Sequence, residues 1–471
     1  LGAAAQSRPP AVAGRFYPAS PKALAAMVNH HLKDAPLAKL SGEVAALLVP
    51  HAGLEFSGFT AARAYKLLQP GQFDTVVVFG TCHTKPLDGA AIYPGDYATP
   101  EGVMATDQAF AQALIKAEPR YQFDAAAHKK EHSIEVQLPY LRRRLGPKAK
   151  LVAIVTNTQD LETSRALGRA LADAARGKRV LLIASSDLSH YPQGGLADAA
   201  DKSSLEALAT LDAAFFWLTN RFLLNREIPH LAVTYCGEAA VTAVLVAARM
   251  LGANRFELLG RINSGDVVSE RDYNHVVGYA AAAFTRGEGA VPAMPGLLGA
   301  EERKALLSLA RKAFDQPGAP RGPAAPALWP LPKLNLPGGL FVSVYDKKGE
   351  LRGCMGFASP QESVGESAAR FGGAVRGDPR FGSLASADAK LELSLLSIPR
   401  PGRADEVAPG LGVILELEGR EGVLLPSVWD TVKERDAFLG ELCAQKLQAK
   451  KDCWKHPEAK FKLFSAENVS E

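Results

Sequence analysis

Short, strongly apolar runs recur along the first 285 positions: Val44–Val49, Thr75–Phe79, Leu151–Val155 and Val180–Ala184. Each is rich in strand-forming residues and stops at a turn or a polar cluster. Between them lie stretches with apolar residues at helical spacing, such as 61–68, 162–176 and 239–251. Repeated alternation of this kind predicts an α/β fold, a mainly parallel sheet covered by helices.

The pattern changes after Thr285. Residues 286–295 read RGEGAVPAMP, a linker by its Gly, Pro and Ala content. Glu301–Phe314 has the spacing of an amphipathic helix, with Leu306, Leu307, Leu309 and Ala310 on one side. The segment 316–337 is too rich in proline for a helix and reads as an extended surface arm. Strand-like runs at 339–345, 391–398 and 422–425 and a helical stretch at 437–446 complete an α+β pattern. The expected division is a first domain over 8–285, a linker over 286–296 and a second domain over 297–471.

Composition narrows the function classes. Of 471 residues, 47% are hydrophobic and 22% charged, which excludes a disordered, collagen-like or coiled-coil chain. Lys and Arg number 54 against 50 Asp and Glu, so bulk charge does not indicate nucleic acid. No apolar run approaches the roughly 18 residues of a membrane span, and Leu1–Pro10 lacks the pattern of a signal peptide and reads as an unstructured start. The five cysteines, Cys82, Cys236, Cys354, Cys443 and Cys453, are odd in number and scattered, the pattern of free thiols in a reducing cytoplasm.

Candidate chemistry follows from position. Ligands of an open α/β sheet bind at the carboxyl ends of its strands. The first predicted strand ends in Pro50-His51-Ala52-Gly53, the second in Gly80-Thr81-Cys82-His83, and the fourth in Ser185-Ser186-Asp187-Leu188-Ser189-His190. Thr234-Tyr235-Cys236-Gly237 opens a predicted helix. One His after a strand is usually a local polar contact; four loops that each bring an imidazole, carboxylate or thiol point to a shared centre. His51, His83 and Cys236 form the expected metal trio, because imidazole and thiolate suit iron, copper or zinc. The helix start is expected to favour the Cys236 thiolate. Asp187 and His190 are candidate acid/base or orienting groups, with a loop held by local hydrogen bonds as the bland alternative. Cys82 reads as a core residue.

The cluster Glu131-His132-Ser133-Ile134-Glu135 reads as a helix start capped by Ser133, with Pro139 ending or kinking the helix. If that helix faces the strand edge, His132 joins the catalytic candidates and Glu131 the substrate contacts. His128, Lys129 and Lys130 read as a solvated charge run. In the second half, Arg352-Gly353-Cys354-Met355-Gly356 is either a pocket, with Arg352 for an anion, a reactive Cys354 and backbone lining at Gly353 and Gly356, or a tight strand crossing where only glycine fits.

These residues also carry a resemblance. RPPAVAGRFYP from Arg8, VPHAG at His51, the 80–83 loop, EHSIEVQLPYL from Glu131, SSDLSH from Ser185, TYCG at Cys236 and Gly278-Tyr279-Ala280 resemble the Memo family over about 8–284. LFVSVYDKKGELRGCMG, GDPRF at 377–381, LELSLLS, REGVLLP, and Cys443 with Trp454 resemble the AMMECR-type domain over about 297–469. The pair corresponds to proteins B and A of the AmmeMemoRadiSam system, so the resemblance implies a radical S-adenosylmethionine protein as partner. It also implies a fold similar to the extradiol non-haem iron dioxygenases, and iron(II) or copper held by His51, His83 and Cys236 with Asp187 and His190 beside them; the ligand types admit zinc as well. A thiolate stands where those dioxygenases use a carboxylate, so ring cleavage does not carry over. Three functions stay open: a redox metalloenzyme acting on an unidentified small or macromolecular substrate, a metal-binding module without turnover, and an adaptor that presents substrate to the partner.

Overall fold

The computed structural model describes residues 7–267, 272–291, 296–316, 328–379 and 388–471. The chain divides into two units, Leu1–Val291 and Pro292–Glu471. Part of the expected linker (292–295), part of the arm (317–327), and Arg380 and Phe381 of the GDPRF motif lie outside the described residues.

The strands of the first unit are β1 Glu43–Val49, β2 Thr75–Thr81, β3 Ala90–Ile92, β4 Tyr97–Thr99, β5 Gly102–Met104, β6 Tyr121–Phe123, β7 Lys150–Thr156, β8 Val180–Ser185, β9 Arg255–Asn263 and β10 Gly278–Arg286. Eight of them form one sheet in the order β6-β3-β7-β2-β8-β1-β10-β9. The centre is parallel, as expected: β7, β2, β8 and β1 pair in register with one another. Outside it β10 on β1, β9 on β10 and β3 on β7 are antiparallel, while the edge strand β6 is parallel to β3.

Alternation of side chains along each central strand feeds two cores, one on each face. Ala46, Leu48, Val77, Phe79, Leu182 and Ala184 pack on one face, whereas Leu47, Val49, Val76, Val78, Leu181 and Ile183 pack on the other. Helices cover both layers and begin where the sequence supplies caps. Ser20 caps Pro21–Asp34, and Asp160 accepts from Thr163 N at the start of Leu161–Ala175. The strand β10 reads GYAAAAFTR and is buried on both faces; its alanines are strong helix formers, and burial in the sheet overrides that preference.

The cluster after Glu131 departs from the expected helix. Ser133 caps nothing; its hydroxyl donates to Thr81 O. A 3-10 turn at Glu135–Gln137 leads into the helix Leu138–Leu145, and Pro139 sits in its first turn rather than at its end, where its missing N–H is harmless. His128 is not part of a solvated run. It is fully buried, with Nδ1 2.6 Å from the Tyr97 hydroxyl and Nε2 3.0 Å from Ala91 O. Cys82 is a core residue, as expected.

The second unit is built on β11 Gly339–Tyr345, β12 Leu351–Phe357, β13 Lys390–Leu396, β14 Arg400–Gly402, β15 Leu411–Leu417, β16 Arg420–Leu424 and β17 Lys460–Ser470. They form an antiparallel sheet in the order β12-β11-β13-β17-β15-β16, with β14 also on β17. The helices Ala300–Asp315 and Val364–Ala374 pack together, the second started by the reciprocal Ser363–Glu366 cap.

Two expectations fail here. Residues 328–337 are not an extended surface arm: Leu328, Leu334, Asn335 and Leu336 are buried and Pro332–Asn335 is a 3-10 turn, because the apolar residues between the prolines need cover. Cys443 and Cys453 form a disulfide, against the expectation of free thiols; Cys82, Cys236 and Cys354 remain free. The turn at Cys453–Lys455 brings the two together across ten residues, a proximity that sequence spacing does not display.

Candidate metal centre

The neighbouring strands β2, β8 and β1 end side by side, and their loops meet at one edge of the sheet. The loop after β1 supplies His51, that after β2 His83, and that after β8 Asp187 and His190. The segment before the helix Glu238–Met250 adds Cys236, and the turn after Lys130 adds His132. The donor atoms of His51, His83 and His132 lie within 4.8 Å of one another, and so do those of His51, Asp187 and Cys236. His51 belongs to both groups. The trio His51, His83 and Cys236 is therefore split between two overlapping sets, and His132 stands among the donors.

Hydrogen bonds fix which face each imidazole presents. His51 is 1% exposed, and its Nδ1 is 3.1 Å from Ser185 Oγ. The Ser185 hydroxyl donates to Ser133 O while Gln137 Nε2 donates to it. Its single proton is used, so it accepts from His51 Nδ1–H and leaves the Nε2 lone pair free. That lone pair faces Cys236 Sγ at 3.1 Å. His83 Nδ1 lies 3.0 Å from Glu131 Oε1, and His190 Nδ1 lies 2.9 Å from Leu188 O. Each again has Nδ1 engaged and Nε2 left as donor. Orienting an imidazole through its second nitrogen is the usual support of a metal-binding histidine. The His83 and His132 rings stack at 4.4 Å, with His51 edge-on to both.

Electrostatics keeps three of the imidazoles, His51, His132 and His190, neutral. Burial, then the neighbouring His132 and His83, holds His51 well below the usual range for histidine. Burial and His83 lower His132 to about 4. Burial likewise lowers His190. Burial raises Asp187 to about 7, although the N–H groups of His51 and Ala52 donate to its carboxylate. Burial and the Asp187 charge push the Cys236 thiol far up, so the expected thiolate does not follow from the helix start. The helix begins only at Glu238, with Gly237 as its cap. A bound cation would supply the missing positive charge, because coordination deprotonates a thiol.

Glu131 supports the centre rather than lining a pocket. Its side chain is fully buried, and both oxygens are used: Oε2 by His83 N, Oε1 by His83 Nδ1, His132 N and Ser133 N. Glu135, four residues on, faces the opposite way. It accepts from Arg8, from the N–H groups of Ala11 and Val12, and from the Tyr17 hydroxyl. It thereby straps residues 8–17 across the unit, and Phe16 of that strap packs on His132 at 4.6 Å. The alternation Glu131–Glu135 on a short turn was the available signal for this division of labour; Ser185 and Gln137 carried none.

The chain's family is legible once this geometry is in place. The model of Memo-like proteins matches residues 8–283, more than half of the chain.

The chain belongs to the Memo-like protein family.

A second model, AMMECR1, matches residues 307–469. The MEMO1 family protein MK0963 of Methanopyrus kandleri is 37% identical over 292 residues, covering 59% of this chain and 99% of that protein. The MEMO1 family protein PYRAB05390 of Pyrococcus abyssi is 37% identical over 298 residues, with the same coverage. The crystal structure of uncharacterized protein PH0010 from Pyrococcus horikoshii is 27% identical, covers 37% of this chain and 93% of that one, and has a TM-score of 0.34.

In the AMMECR1 region the candidate residues sit on β12. Arg352 is engaged by Asp346 at 2.9 Å and Glu350 at 2.7 Å, and Cys354 N donates to Asp378. A Cβ on Gly353 would lie 2.8 Å from Val375 O, and one on Gly356 would lie 2.2 Å from Leu340 O. These glycines permit close packing of the strand, the bland reading of the motif. Among the described residues no helix is long and apolar enough to cross a membrane.

Proposed function

We propose that the Memo-like unit is a transition-metal centre of redox type, with iron(II) as first choice and copper or zinc as alternatives. The observation that carries it is the pair of overlapping donor groups at the sheet edge, His51 with His83 and His132 and His51 with Asp187 and Cys236, in which the Nδ1 atoms of His51 and His83 are held by Ser185 and Glu131. Neutral imidazole and thiolate are the ligand types that suit these metals. His51 would be held throughout, with His83, His132 and Cys236 completing the donors.

When bound, such an ion supplies Lewis acidity and, for iron or copper, electron transfer. The chain's own residues then have separate tasks. Glu131 and Ser185 set the imidazole faces. His190, neutral at pH 7 with Nδ1 on Leu188 O, offers Nε2 to take a proton from a substrate. Asp187 holds the His51 backbone and, with its raised affinity for a proton, can give one up near neutral pH. The AMMECR1 region in the same chain would share the task, since tethering raises effective concentration, and the radical S-adenosylmethionine protein implied by the resemblance is the expected partner.

The test is elemental analysis after anaerobic purification of the parent and of His51→Ala. About one iron per chain, lost in the variant, is the expected result, with Cys236→Ser lowering occupancy. Copper or zinc in the same pattern would favour a metal-holding module without turnover. No metal in either protein refutes the proposal.

A further inference from the structure

A cavity of about 230 Å³ opens beside Cys236, between the loop after β7, the helix Ala213–Asn225 and the segment 232–239. Thr81, Asn157, Gln159, Arg221, Cys236 and Glu238 are among its walls. Since a water molecule occupies roughly 30 Å³, the space holds about eight waters. That is room for a small organic molecule and too little for a nucleotide.

Its charged lining groups are two, Arg221 and Glu238, and they pair with each other. The guanidinium also lies over the Trp217 ring at 5.1 Å, so it is fixed from two sides. Arg221 is 29% exposed and Glu238 12%. Arg221 Nε and Glu238 Oε1 are enclosed away from the cavity, with the Asn220 amide beside the carboxylate.

We infer that this cavity is the substrate pocket of the metal centre and that it takes a small zwitterion of the free α-amino-acid kind, its carboxylate on Arg221 and its ammonium on Glu238. The inference rests on the metal-centre reading for the word substrate, and on the Arg221–Glu238 pair for the ligand class. A fixed guanidinium is the geometry that recognises a carboxylate. The adjacent Glu238 would repel a simple anion, whereas an ammonium one or two bonds from that carboxylate turns the repulsion into a second contact. A simple cation meets the converse obstacle. The threonine hydroxyls and the amides of Asn157 and Gln159 accept or donate to either end. The ligand's side chain then points along the wall that ends at Cys236.

Isothermal titration of the full metal-loaded chain tests this with L-alanine, L-serine and L-asparagine. Lactate and propionate serve as carboxylates without an ammonium, and ethanolamine as the reverse. The expected result is a Kd below about 1 mM for at least one amino acid, and about tenfold tighter binding than any control. Arg221→Gln and Glu238→Gln should each weaken it about tenfold or more while metal content stays at the parental value. Thr158→Trp, which fills the cavity from its loop wall, should abolish binding without touching the ion pair. Metal retained with no amino-acid binding, controls as tight as amino acids, or binding that survives Arg221→Gln and Thr158→Trp would each overturn the inference and leave the metal reading standing. Amino-acid binding by samples that elemental analysis shows to be metal-free would overturn the metal reading instead.

Discussion

Glu131 is where the geometry makes the sharpest demand. Its carboxylate is an acceptor only, and it receives four donors: His83 N at 2.6 Å, His83 Nδ1 at 3.0 Å, His132 N at 2.7 Å and Ser133 N at 2.8 Å. Burial opposes its charge, but the His83 hydrogen bond and the Ser133 N–H hold its affinity for protons well below the usual carboxylate range. Glu131→Gln keeps the shape and exchanges one acceptor for an NH₂ group. If the amide oxygen takes the Oε1 position, the NH₂ confronts the His83 N–H; in the other orientation it confronts three donors. Either way His83 loses an ionised partner at Nδ1 and becomes a weaker base. Loss of such a partner typically costs 10–100-fold in metal affinity, about 1.4–2.7 kcal/mol. Anaerobic competition of iron(II) against a chromophoric chelator measures it. The control is the same substitution in a His83→Ala background, where its effect on affinity should largely vanish if the route runs through His83. A Glu131→Gln protein that binds iron within about twofold of the parent, or one whose loss is equal in both backgrounds, would refute the reasoning.

Two stability predictions follow from buried carboxylates elsewhere in the same unit. Glu135→Gln leaves Arg8, 2% exposed, without its counter-charge; breaking a buried pair from one side costs about 3–5 kcal/mol, and melting of the first unit should fall by at least about 6 °C. Replacing both partners, Arg8→Met with Glu135→Leu, should cost less than the sum of the two single changes, and strict additivity would contradict the pairing. Asp201 is enclosed, accepts from Ser189 N through one oxygen, and leaves the other without a partner; burial raises it to about 7 from 3.8. Because the folded state holds this proton more tightly than the unfolded one, stability is full below pH 4 and declines as pH rises to about 7, by at most about 4 kcal/mol. Asp201→Asn should therefore gain on the parent between pH 5 and pH 8 in thermal melts, and a pH-independent difference would show that the carboxyl is ionised throughout.

The parallel centre of the first sheet was legible because its strands are buried on both faces and read as continuous apolar runs, as in Val76–Val78. The edge was not: β10 is an alanine run and β9 is only half-buried, so neither shows the period or the residue types of a strand. Position after a strand was enough to find His51, His83 and Asp187, and position before a helix to find Cys236, since β2, β8 and β1 lie side by side. It could not say which donors meet. His132 lies within reach of His51 because the segment after Glu131 is a turn pinned by that carboxylate and by Ser133, not the capped helix its spacing suggests. Arg221 escaped notice for a related reason. It sits mid-helix among apolar residues, where one arginine is ordinarily a solvated side chain, and its partner Glu238 is 17 positions away.

Two kinds of histidine in this unit show what decides a role. His128 is more deeply buried than His83, yet both of its ring nitrogens are used, one by Tyr97 and one by Ala91 O. It has nothing left to offer a metal, and its place is structural. His51 is equally buried, but the protein spends one nitrogen on Ser185 and aims the other at a thiol. While the thiol keeps its proton, Cys236 S–H donates to that lone pair; a metal would take the place of this proton, with two further imidazoles in reach through the second donor group. Neither burial nor the count of engaged nitrogens separates the two residues; the partner does, a phenol and a carbonyl for His128 against a thiol, whose proton a metal displaces, for His51. By that criterion His51, shared between both groups, is the residue on which the centre depends, while His132 and Cys236 differ in which side of it they complete.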